Sequence, residues 1–297
     1  MDTKYTEGEK TMIVHAYAKI NLGLKVLGRR PDGYHGVDMI MQSISLADTI
    51  TLEPAASFAV TTDLAELPCD KRNLMVKAAL AFQKATGCDL NVHLHGEKQI
   101  FVAAGLAGGS TDAAAVLKLL NQYYGEPLPR QQLETVAATI GSDVPFCIAG
   151  GTQRARGRGE LMTVLPAVPD FHLVLVKPAA LEVSTAWAYG EIDRKPPKNS
   201  PDIDKLEQAI VSQKLPDVLA LMGNDLELVT VPAHPILQGL LTELQELGAA
   251  KAMMSGSGPT VFGIFFQAEA AAKAAGLLKQ KYRELQIETA HTVREGY

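Results

Sequence analysis

The first part of the chain alternates between apolar and polar residues in the way that β-strands do. Residues 12–28 (MIVHAYAKINLGLKVLG) are rich in β-forming residues and alternate in places, so they predict a strand or a hairpin. Residues 28–33 combine two glycines with proline and aspartate, which predicts a turn. Strand-like runs resume at 37–46 and 49–53. Together these segments predict a β-rich start to the fold.

The most regular alternation lies at residues 89–95 (DLNVHLH), which predict a strand with its apolar residues on one face. His93 and His95 share the other face, and two imidazoles at this spacing could bind a metal ion. No third ligand lies nearby in the sequence. The polar face of an exposed strand is therefore the preferred interpretation.

Helical spacing of apolar residues predicts most of the remaining elements. One helix covers 74–86, with Asn73 as its N-cap and Gly87 as its end. Further helices are predicted over 112–124, 130–140, 203–213, 215–222, 235–247 and 267–281, and further strands over 171–176 and 285–293. Because strands and helices are mixed without a regular βαβ alternation, the fold class predicted is α+β.

Composition narrows the class of protein. The 297 residues are 47% hydrophobic and 21% charged, as in globular proteins, and the net charge of −5 argues against nucleic acid as the main partner. The basic residues at 154–158 (RARGR) could meet a phosphorylated small molecule, although a solvated loop is the more ordinary interpretation. No apolar run approaches the roughly 18 residues of a membrane helix. We therefore expect no membrane association.

The location expected from the sequence is the cytoplasm. The three cysteines are far apart and form neither a CxxC pair nor a metal-binding pattern with histidine, as is usual in a reducing compartment. Residues 1–10 (MDTKYTEGEK) contain acids and no apolar core, which predicts neither a signal peptide nor a transit peptide.

The segment Ala103–Asp112 (AAGLAGGSTD) runs directly into a predicted helix and is the strongest indication of chemistry. Small residues let the backbone approach a ligand closely, and a helix N-terminus offers free N–H groups and a positive dipole, so the segment predicts a phosphate loop. The alternative is a tight turn before a helix capped by Ser110 or Asp112, which would need only one or two glycines. The segment lacks the lysine of a P-loop, and the chain contains no GxGxxG fingerprint.

Two charged residues occur in apolar surroundings. Lys19 lies inside a predicted strand, and Asp143 lies between a helix-ending glycine and Val-Pro-Phe. Such charges are costly unless they meet a partner of opposite charge. Each has an ordinary explanation, since Lys19 could extend to solvent and Asp143 could cap a helix. Together with a phosphate loop, they indicate a charge pair that serves phosphoryl transfer.

Three motifs give the chain a clear resemblance to the GHMP small-molecule kinases. They are carried by residues 18–22 (AKINL), 103–115 (AAGLAGGSTDAAA) and 255–263 (SGSGPTVFG). Residues 28–35 (GRRPDGYH) and 141–146 (GSDVPF) resemble the subgroup whose substrate carries a cytidylyl group; residues 183–185 and 224–227 agree with it. Phe101 departs from this pattern, since the family usually has proline there.

The resemblance implies a two-domain fold and an activity. Residues 1–160 would form an N-terminal α+β domain similar to a domain of a ribosomal protein, which binds ATP. Residues 161–297 would form a ferredoxin-like domain that contributes to the substrate cleft. The implied reaction is phosphorylation of the 2-hydroxyl of the cytidylyl substrate in non-mevalonate isoprenoid synthesis, by a monomer or homodimer. ATP with Mg²⁺ is expected, with Ser110 as an indirect metal ligand.

The resemblance also assigns roles to single residues. Asp143 would accept the proton of the substrate hydroxyl, and Lys19 would hold Asp143 and stabilise the moving phosphoryl group. The implied ATP-binding residues are Asn73, Phe101, Val102, Ala103, Ala104, Gly105, Leu106, Ala107, Gly108, Gly109, Ser110 and Thr111. The implied substrate-binding residues are Asn21, Tyr34, His35, Thr185 and Tyr189, with the cytosine held by Tyr34 and His35 and stacked by Tyr189 from the opposite side.

Two rival functions remain compatible with the motifs. One is another GHMP kinase that acts on mevalonate, homoserine or a sugar, although an aromatic ring beside an imidazole at 34–35 suits a nucleobase better than a small polyol. The other is a catalytically silent member that only binds ATP. Retention of both Lys19 and Asp143 argues against the silent member, because ATP binding alone needs no proton acceptor.

Overall fold

A computed structural model describes residues 11–294 of the chain, so the predicted absence of a leader in residues 1–10 lies outside the described part. The strands are β1 (Met12–Arg29), β2 (His35–Pro54), β3 (Ala59–Thr62), β4 (Val92–Glu97), β5 (Thr152–Gly157), β6 (Leu161–Val164), β7 (His172–Pro178), β8 (Gly223–Asn224), β9 (Lys251–Met254), β10 (Val261–Phe265) and β11 (Leu285–His291). The helices are α1 (Leu74–Thr86), α2 (Gly108–Tyr123), α3 (Arg130–Ala138), α4 (Val144–Ala149), α5 (Thr185–Arg194), α6 (Ile203–Val211), α7 (Leu215–Leu221), α8 (Glu227–Ala233), α9 (Pro235–Glu246) and α10 (Ala268–Lys281).

The first sheet is built on the long antiparallel pair of β1 and β2. Its order is β3-β4-β2-β1-β8, and β5 continues from β2 and carries β6. The register of β1 against β2 shifts between Tyr17 and Lys19, and again between Asn21 and Gly23. Such irregularities re-aim side chains and are frequent beside functional sites. The two shifts therefore bracket the short stretch that carries Lys19 and Asn21.

The second sheet has the order β11-β7-β10-β9 and is antiparallel throughout. Helix α2 packs on β1 and β2, whereas α9 and α10 pack on the second sheet. Side chains of both sheets meet in one buried cluster, in which Ile20 and Ile44 of the first sheet join Leu173 and Phe262 of the second. A bridge between Ile44 and Thr292 also links the sheets. The shared core fixes the two halves against each other, and a cleft lies between them.

Most predicted elements occur near their predicted positions. Helix α1 is confirmed in detail, because Asn73 Oδ1 accepts a hydrogen bond from the Met75 N–H and Gly87 ends the helix with φ 75°. The prediction for α2 was wrong at its start, since the helix begins at Gly108 rather than at 112. Its N-cap is Ala107 in a left-handed conformation, so neither Ser110 nor Asp112 caps it.

The domain boundary near 160 stays a prediction. Strand β6 begins at Leu161 and pairs with β5 in the first sheet, and the short strand β8 returns to pair with β1. We therefore propose that the two halves divide between β6 and β7. None of the helices within residues 11–294 has the length and apolarity needed to span a membrane.

The two histidines of β4 belong to the surface of the first sheet. His93 Nε2 and His95 Nδ1 each lie 2.8 Å from the hydroxyl oxygen of Thr61 on the neighbouring strand β3. A cross-strand polar cluster accounts for both side chains. Within residues 11–294, no group of three or more histidine, cysteine or acidic side chains is arranged to hold a metal ion.

Candidate active site

A cleft of about 1070 Å³ opens where the two halves meet. Its walls come from the turn before β2, the loop before α2, the residues before α4, the start of α5 and the loop after β9. All five segments overlap stretches that carried the resemblance. The fold therefore brings distant parts of the sequence to one place.

The loop before α2 has the geometry of an anion-binding site. Ala103, Gly105 and Ala107 have positive φ angles of 51°, 77° and 62°. This backbone path delivers the chain to α2, whose first residues, Gly108 and Gly109, line the cleft. Ala107 supplies no capping side chain. The first N–H groups of this 16-residue helix and the positive end of its dipole consequently face the cleft, and no capping side chain accepts a hydrogen bond from them.

The loop after β9 packs directly on this phosphate loop. The carbonyl oxygen of Gly105 accepts hydrogen bonds from Ser255 Oγ at 3.0 Å and from Lys19 Nζ at 3.0 Å. A Cβ on Gly105 would overlap the carbonyl oxygen of Ser255 and approach Gly258. Glycine at 105 is thus required twice, by its positive φ and by this close approach.

Residues 224–227 support the same loop from behind. Asn224 Nδ2 donates to the carbonyl oxygens of Met254 and Gly256, at 2.9 and 2.8 Å. Glu227 accepts a hydrogen bond from the Met254 N–H at 2.5 Å. Burial raises the pKa of Glu227 to about 7, against the opposing effect of that hydrogen bond. Asn224 and Glu227 therefore hold this loop in place, although neither side chain lines the cleft.

The half-buried Glu227 predicts a stability that depends on pH. Its folded-state pKa is raised, so the folded chain binds more protons than the unfolded chain between about pH 4.5 and 7, and stability falls as pH rises through this window. Glu227→Gln removes this pH dependence, which amounts to up to about 3 kcal/mol of unfolding free energy. From pH 5 to pH 8, the free energy of unfolding measured with urea should therefore fall further for wild type than for Glu227→Gln. The exposed Glu246→Gln is the control; equal losses in all three proteins would contradict the assignment.

Lys19 is buried beside the phosphate loop. Its ammonium donates to Asn21 Oδ1 at 2.7 Å and to the Gly105 carbonyl at 3.0 Å. Burial lowers the pKa of Lys19, and the negative charge of Asp143 opposes this effect. The contact expected between Lys19 and Asp143 is not formed, since no carboxylate within residues 11–294 lies within 4.0 Å of Lys19 Nζ. The oxygens of Asn21 and Gly105 hold the ammonium instead.

Asp143 precedes α4 and lines the cleft. The explanation of its side chain as a helix cap is wrong, because it makes no capping hydrogen bond to α4. The carboxylate therefore remains available to a ligand. It is close enough to Lys19 to influence the pKa of that ammonium through its charge.

An aromatic group forms one end of the cleft. The ring of Tyr34 is 56% exposed, and the guanidinium of Arg158 lies 5.1 Å from its centroid. The imidazole of His35 stacks on Tyr189, with centroids 4.8 Å apart and planes inclined by 27°. His35 Nε2 also lies 2.9 Å from Asp193 Oδ1. Tyr189 thus contacts His35 directly. The stacking of Tyr189 on the cytosine, from the side opposite Tyr34, stays a prediction.

Most residues that the sequence assigned to the site line this cleft. They are Lys19, Asn21, Tyr34, His35, Asn73, Phe101, Val102, Ala103, Ala104, Gly105, Ala107, Gly108, Gly109, Ser110, Asp143, Thr185 and Tyr189. Leu106 and Thr111 do not line it, and the Thr111 hydroxyl donates to the Tyr17 carbonyl at 2.7 Å. Side-chain direction, which motif spacing does not fix, decides the difference.

Asn73 and Thr185, two further assigned residues, also have protein partners. Asn73 caps α1 through Oδ1, and its Nδ2 donates to the Pro68 carbonyl at 2.8 Å, so its contact with adenine stays a prediction. Thr185 Oγ1 lies 3.0 Å from Ser257 Oγ. That contact ties the start of α5 to the loop after β9.

Sequence reasoning missed a buried ion group beside the phosphate loop. The ammonium of Lys98 contacts Asp48 Oδ2 and Asp112 Oδ2, and Lys98 and Asp112 line the cleft. Asp48 Oδ1 also accepts from the N–H groups of Gln99 and Ile100. Burial and the neighbouring charge of Asp48 raise the pKa of Asp112 to about 7, against the opposing charge of Lys98. The available indication was that Asp48 is the single charged residue between Asp38 and Glu53.

Comparison with known protein families gives two matches in chain order. Residues 73–151 match the GHMP kinases N terminal domain, and residues 206–284 match the GHMP kinases C terminal family. A relative from Gloeobacter violaceus, named 4-diphosphocytidyl-2-C-methyl-D-erythritol kinase, is 47% identical over 86% of this chain and 86% of its own length.

Solved structures extend this similarity. A crystal structure of 4-(cytidine 5'-diphospho)-2C-methyl-D-erythritol kinase superposes with a TM-score of 0.79 at 31% identity, covering 94% of this chain and 99% of that chain. A homoserine kinase from Cytophaga hutchinsonii superposes with a TM-score of 0.76 over 99% of this chain and 98% of that chain. At 17% identity, the second likeness concerns the fold alone.

Proposed function

Because the chain belongs to the 4-diphosphocytidyl-2-C-methyl-D-erythritol kinases of the GHMP kinase family, we propose that it transfers the γ-phosphoryl group of ATP to the 2-hydroxyl of that cytidylyl substrate. The products are the 2-phosphate and ADP, in non-mevalonate isoprenoid precursor synthesis. The observation that carries this function is the cleft, in which a phosphate loop, a lysine, an aspartate and an aromatic base pocket converge.

ATP binds with its phosphates against the loop before α2. The first-turn N–H groups at Gly108 and Gly109 and the helix dipole attract the phosphates, and the buried ammonium of Lys19 supplies the nearest positive charge. Asn73 and Lys98 also line the cleft, and we assign the nucleoside of ATP to their part of it. Leu106 and Thr111 support the loop from inside the protein.

Asp143 and Lys19 carry the transfer step. Asp143 takes the proton of the 2-hydroxyl while the oxygen of that hydroxyl forms a bond to the γ-phosphorus. The bond between the γ-phosphorus and the β-phosphate oxygen breaks, which releases ADP. Lys19 stabilises the charge on the transferred group. Asn21 and the Gly105 carbonyl hold the ammonium in position, which replaces the direct contact with Asp143 that the family resemblance implied.

Mg²⁺ fits this cleft as an ion carried mainly by ATP. Within residues 11–294 the acidic side chains form no ready metal cluster, and the cleft offers Ser110 beside the phosphate loop. The cleft therefore fits an ion that the phosphate oxygens of ATP and water would hold, with the Ser110 hydroxyl as an indirect contact. Bound there, Mg²⁺ would neutralise part of the phosphate charge.

The alcohol acceptor decides between this function and its rivals. ADP release should be fast with the cytidylyl substrate and slow with mevalonate, homoserine and galactose, and ³¹P NMR should place the new phosphate on the 2-oxygen. Faster turnover of another alcohol would favour a different GHMP kinase. Absence of turnover with every alcohol, despite ATP binding, would favour a silent member.

The base pocket predicts a separable effect on substrate binding. Stacking on an aromatic ring is worth about 1–3 kcal/mol per base, so Tyr34→Ala should weaken binding of the cytidylyl substrate by roughly 5- to 150-fold. ATP affinity should change little, because Tyr34 lies at the other end of the cleft from the phosphate loop. Leu27→Ala is a control on the same hairpin, since Leu27 is exposed and does not line the cleft.

Competition assays complete this prediction. CMP should compete with the substrate in wild type and lose potency in Tyr34→Ala but not in Leu27→Ala. Normal substrate binding by Tyr34→Ala would remove the tyrosine from the pocket and reopen the case for a smaller alcohol.

Location and assembly are the remaining parts of the proposal. The cytoplasm is supported by the cysteines, since Cys69, Cys88 and Cys147 are all free thiols in the structure. The expected assembly is a monomer or a homodimer. The molar mass measured in solution by light scattering would distinguish the two.

A further inference from the structure

His35 and Asp193 form a contact that joins the two halves of the protein. His35 is the first residue of β2, and Asp193 lies in the last turn of α5, 158 residues later. His35 Nε2 and Asp193 Oδ1 are 2.9 Å apart, and both residues line the cleft. The imidazole is nearly buried, with 12% of its side chain exposed, whereas Asp193 is 36% exposed.

The position of Asp193 gives little benefit to its own helix. A negative charge in the last turn opposes the helix dipole, which favours cations at that end. A contact between charged groups that is open to solvent on one side contributes little to stability. Stability therefore offers a weak reason for an acid here, and its contact with a residue of the base pocket offers a stronger one.

The contact fixes the chemistry of the imidazole. A carboxylate only accepts hydrogen bonds, so Nε2 must carry the proton that is shared with Asp193. In the neutral ring, Nδ1 is then an acceptor. Tyr189 stacks on the ring and restricts its rotation, so the direction of this acceptor is also constrained.

We propose that Asp193 is a positioning residue that holds His35 in the tautomer that selects cytosine over uracil. This inference rests on the proposed function, in which His35 reads the base of the substrate. Cytosine carries an amine at its 4-position, which can donate to Nδ1. Uracil carries a carbonyl oxygen there. This oxygen and Nδ1 are both acceptors, so neither receives a hydrogen bond from the other.

Asparagine at 193 provides the direct test. Its side chain can accept from Nε2–H or donate to a bare Nε2, so Asp193→Asn releases His35 into the tautomer whose Nδ1–H suits uracil. A hydrogen bond of about 0.5–1.5 kcal/mol corresponds to a preference of roughly 2- to 10-fold. The ratio of the inhibition constants of UMP and CMP should fall by this factor in Asp193→Asn, while kcat at saturating substrate stays near wild type.

Three further variants separate positioning from structure. Asp193→Glu keeps an acceptor-only group and should restore most of the ratio. Glu191→Gln removes a neighbouring acid of α5 that pairs with Arg194 and does not line the cleft, so its ratio should equal wild type. In a His35→Ala background, Asp193→Asn should have no further effect on the ratio, because the two side chains act as a unit.

The outcomes also distinguish this inference from the proposed function. If wild type prefers CMP and Asp193→Asn keeps that ratio, the positioning role is overturned even when the variant is less stable, and the base pocket stands. If wild type does not distinguish CMP from UMP, the assignment of His35 as the base reader fails, and the role of Asp193 fails with it.

Discussion

Asp143→Asn should lower kcat by about 10²–10⁴ while leaving the fold and the ATP affinity intact. The amide has nearly the shape of the carboxylate but cannot take the proton of the substrate hydroxyl. Asp143 makes no capping hydrogen bond to α4, so its replacement breaks no contact that the helix needs. Steady-state kinetics and calorimetric titration with ATP would measure the two quantities on the same preparation.

Asp217→Asn is the matched control for this substitution. Asp217 is exposed in the first turn of α7 and does not line the cleft, so the same chemical change there should leave kcat unaltered. If Asp143→Asn keeps kcat within a few fold of wild type, Asp143 is not the proton acceptor. The phosphate loop and Lys19 would then account for catalysis through positioning and charge alone.

Gly105→Ala should weaken ATP binding by about 5- to 150-fold, the equivalent of an overpacking cost of about 1–3 kcal/mol. The new Cβ would overlap the carbonyl oxygen of Ser255, so the phosphate loop and the loop after β9 must move apart. The movement displaces the Gly105 carbonyl, which holds the ammonium of Lys19. We therefore expect kcat to fall as well.

Gly87→Ala separates the clash from backbone strain. Gly87 has φ 75°, close to the 77° of Gly105, but a Cβ there would meet nothing within 4 Å. Both variants should lose similar stability from the left-handed conformation, about 1–2 kcal/mol. Only Gly105→Ala should lose ATP affinity, and both should keep CMP binding. Equal ATP affinities in the two folded variants would exclude the predicted role of this loop contact.

Local sequence patterns sufficed for elements whose ends are set by neighbouring residues. Helix α1 follows from Asn73, Gly87 and the apolar spacing between them, because a cap and a terminator act over a few residues. The start of α2 did not follow in this way. Ala107 adopts a left-handed conformation that alanine rarely adopts by itself, and the loop after β9 packs on the neighbouring Gly105.

Most of the residues that the motifs assigned to the site line one cleft. The motifs did not fix where each side chain points: Thr111 turns away from the cleft, and Lys19 is held by Asn21 and Gly105 rather than by Asp143. Such directions depend on packing between elements that are far apart in the chain.

By itself, the sequence determined the family and the α+β class, and it predicted the phosphate loop, Lys19 and Asp143 as parts of the site. Only the tertiary structure decided the group of Lys98 with Asp48 and Asp112, and the contact of His35 with Asp193. The physical reason is the range of the interactions. Helical and strand periodicity constrain residues a few positions apart, whereas a hydrogen bond across 158 residues depends on how two sheets share one core.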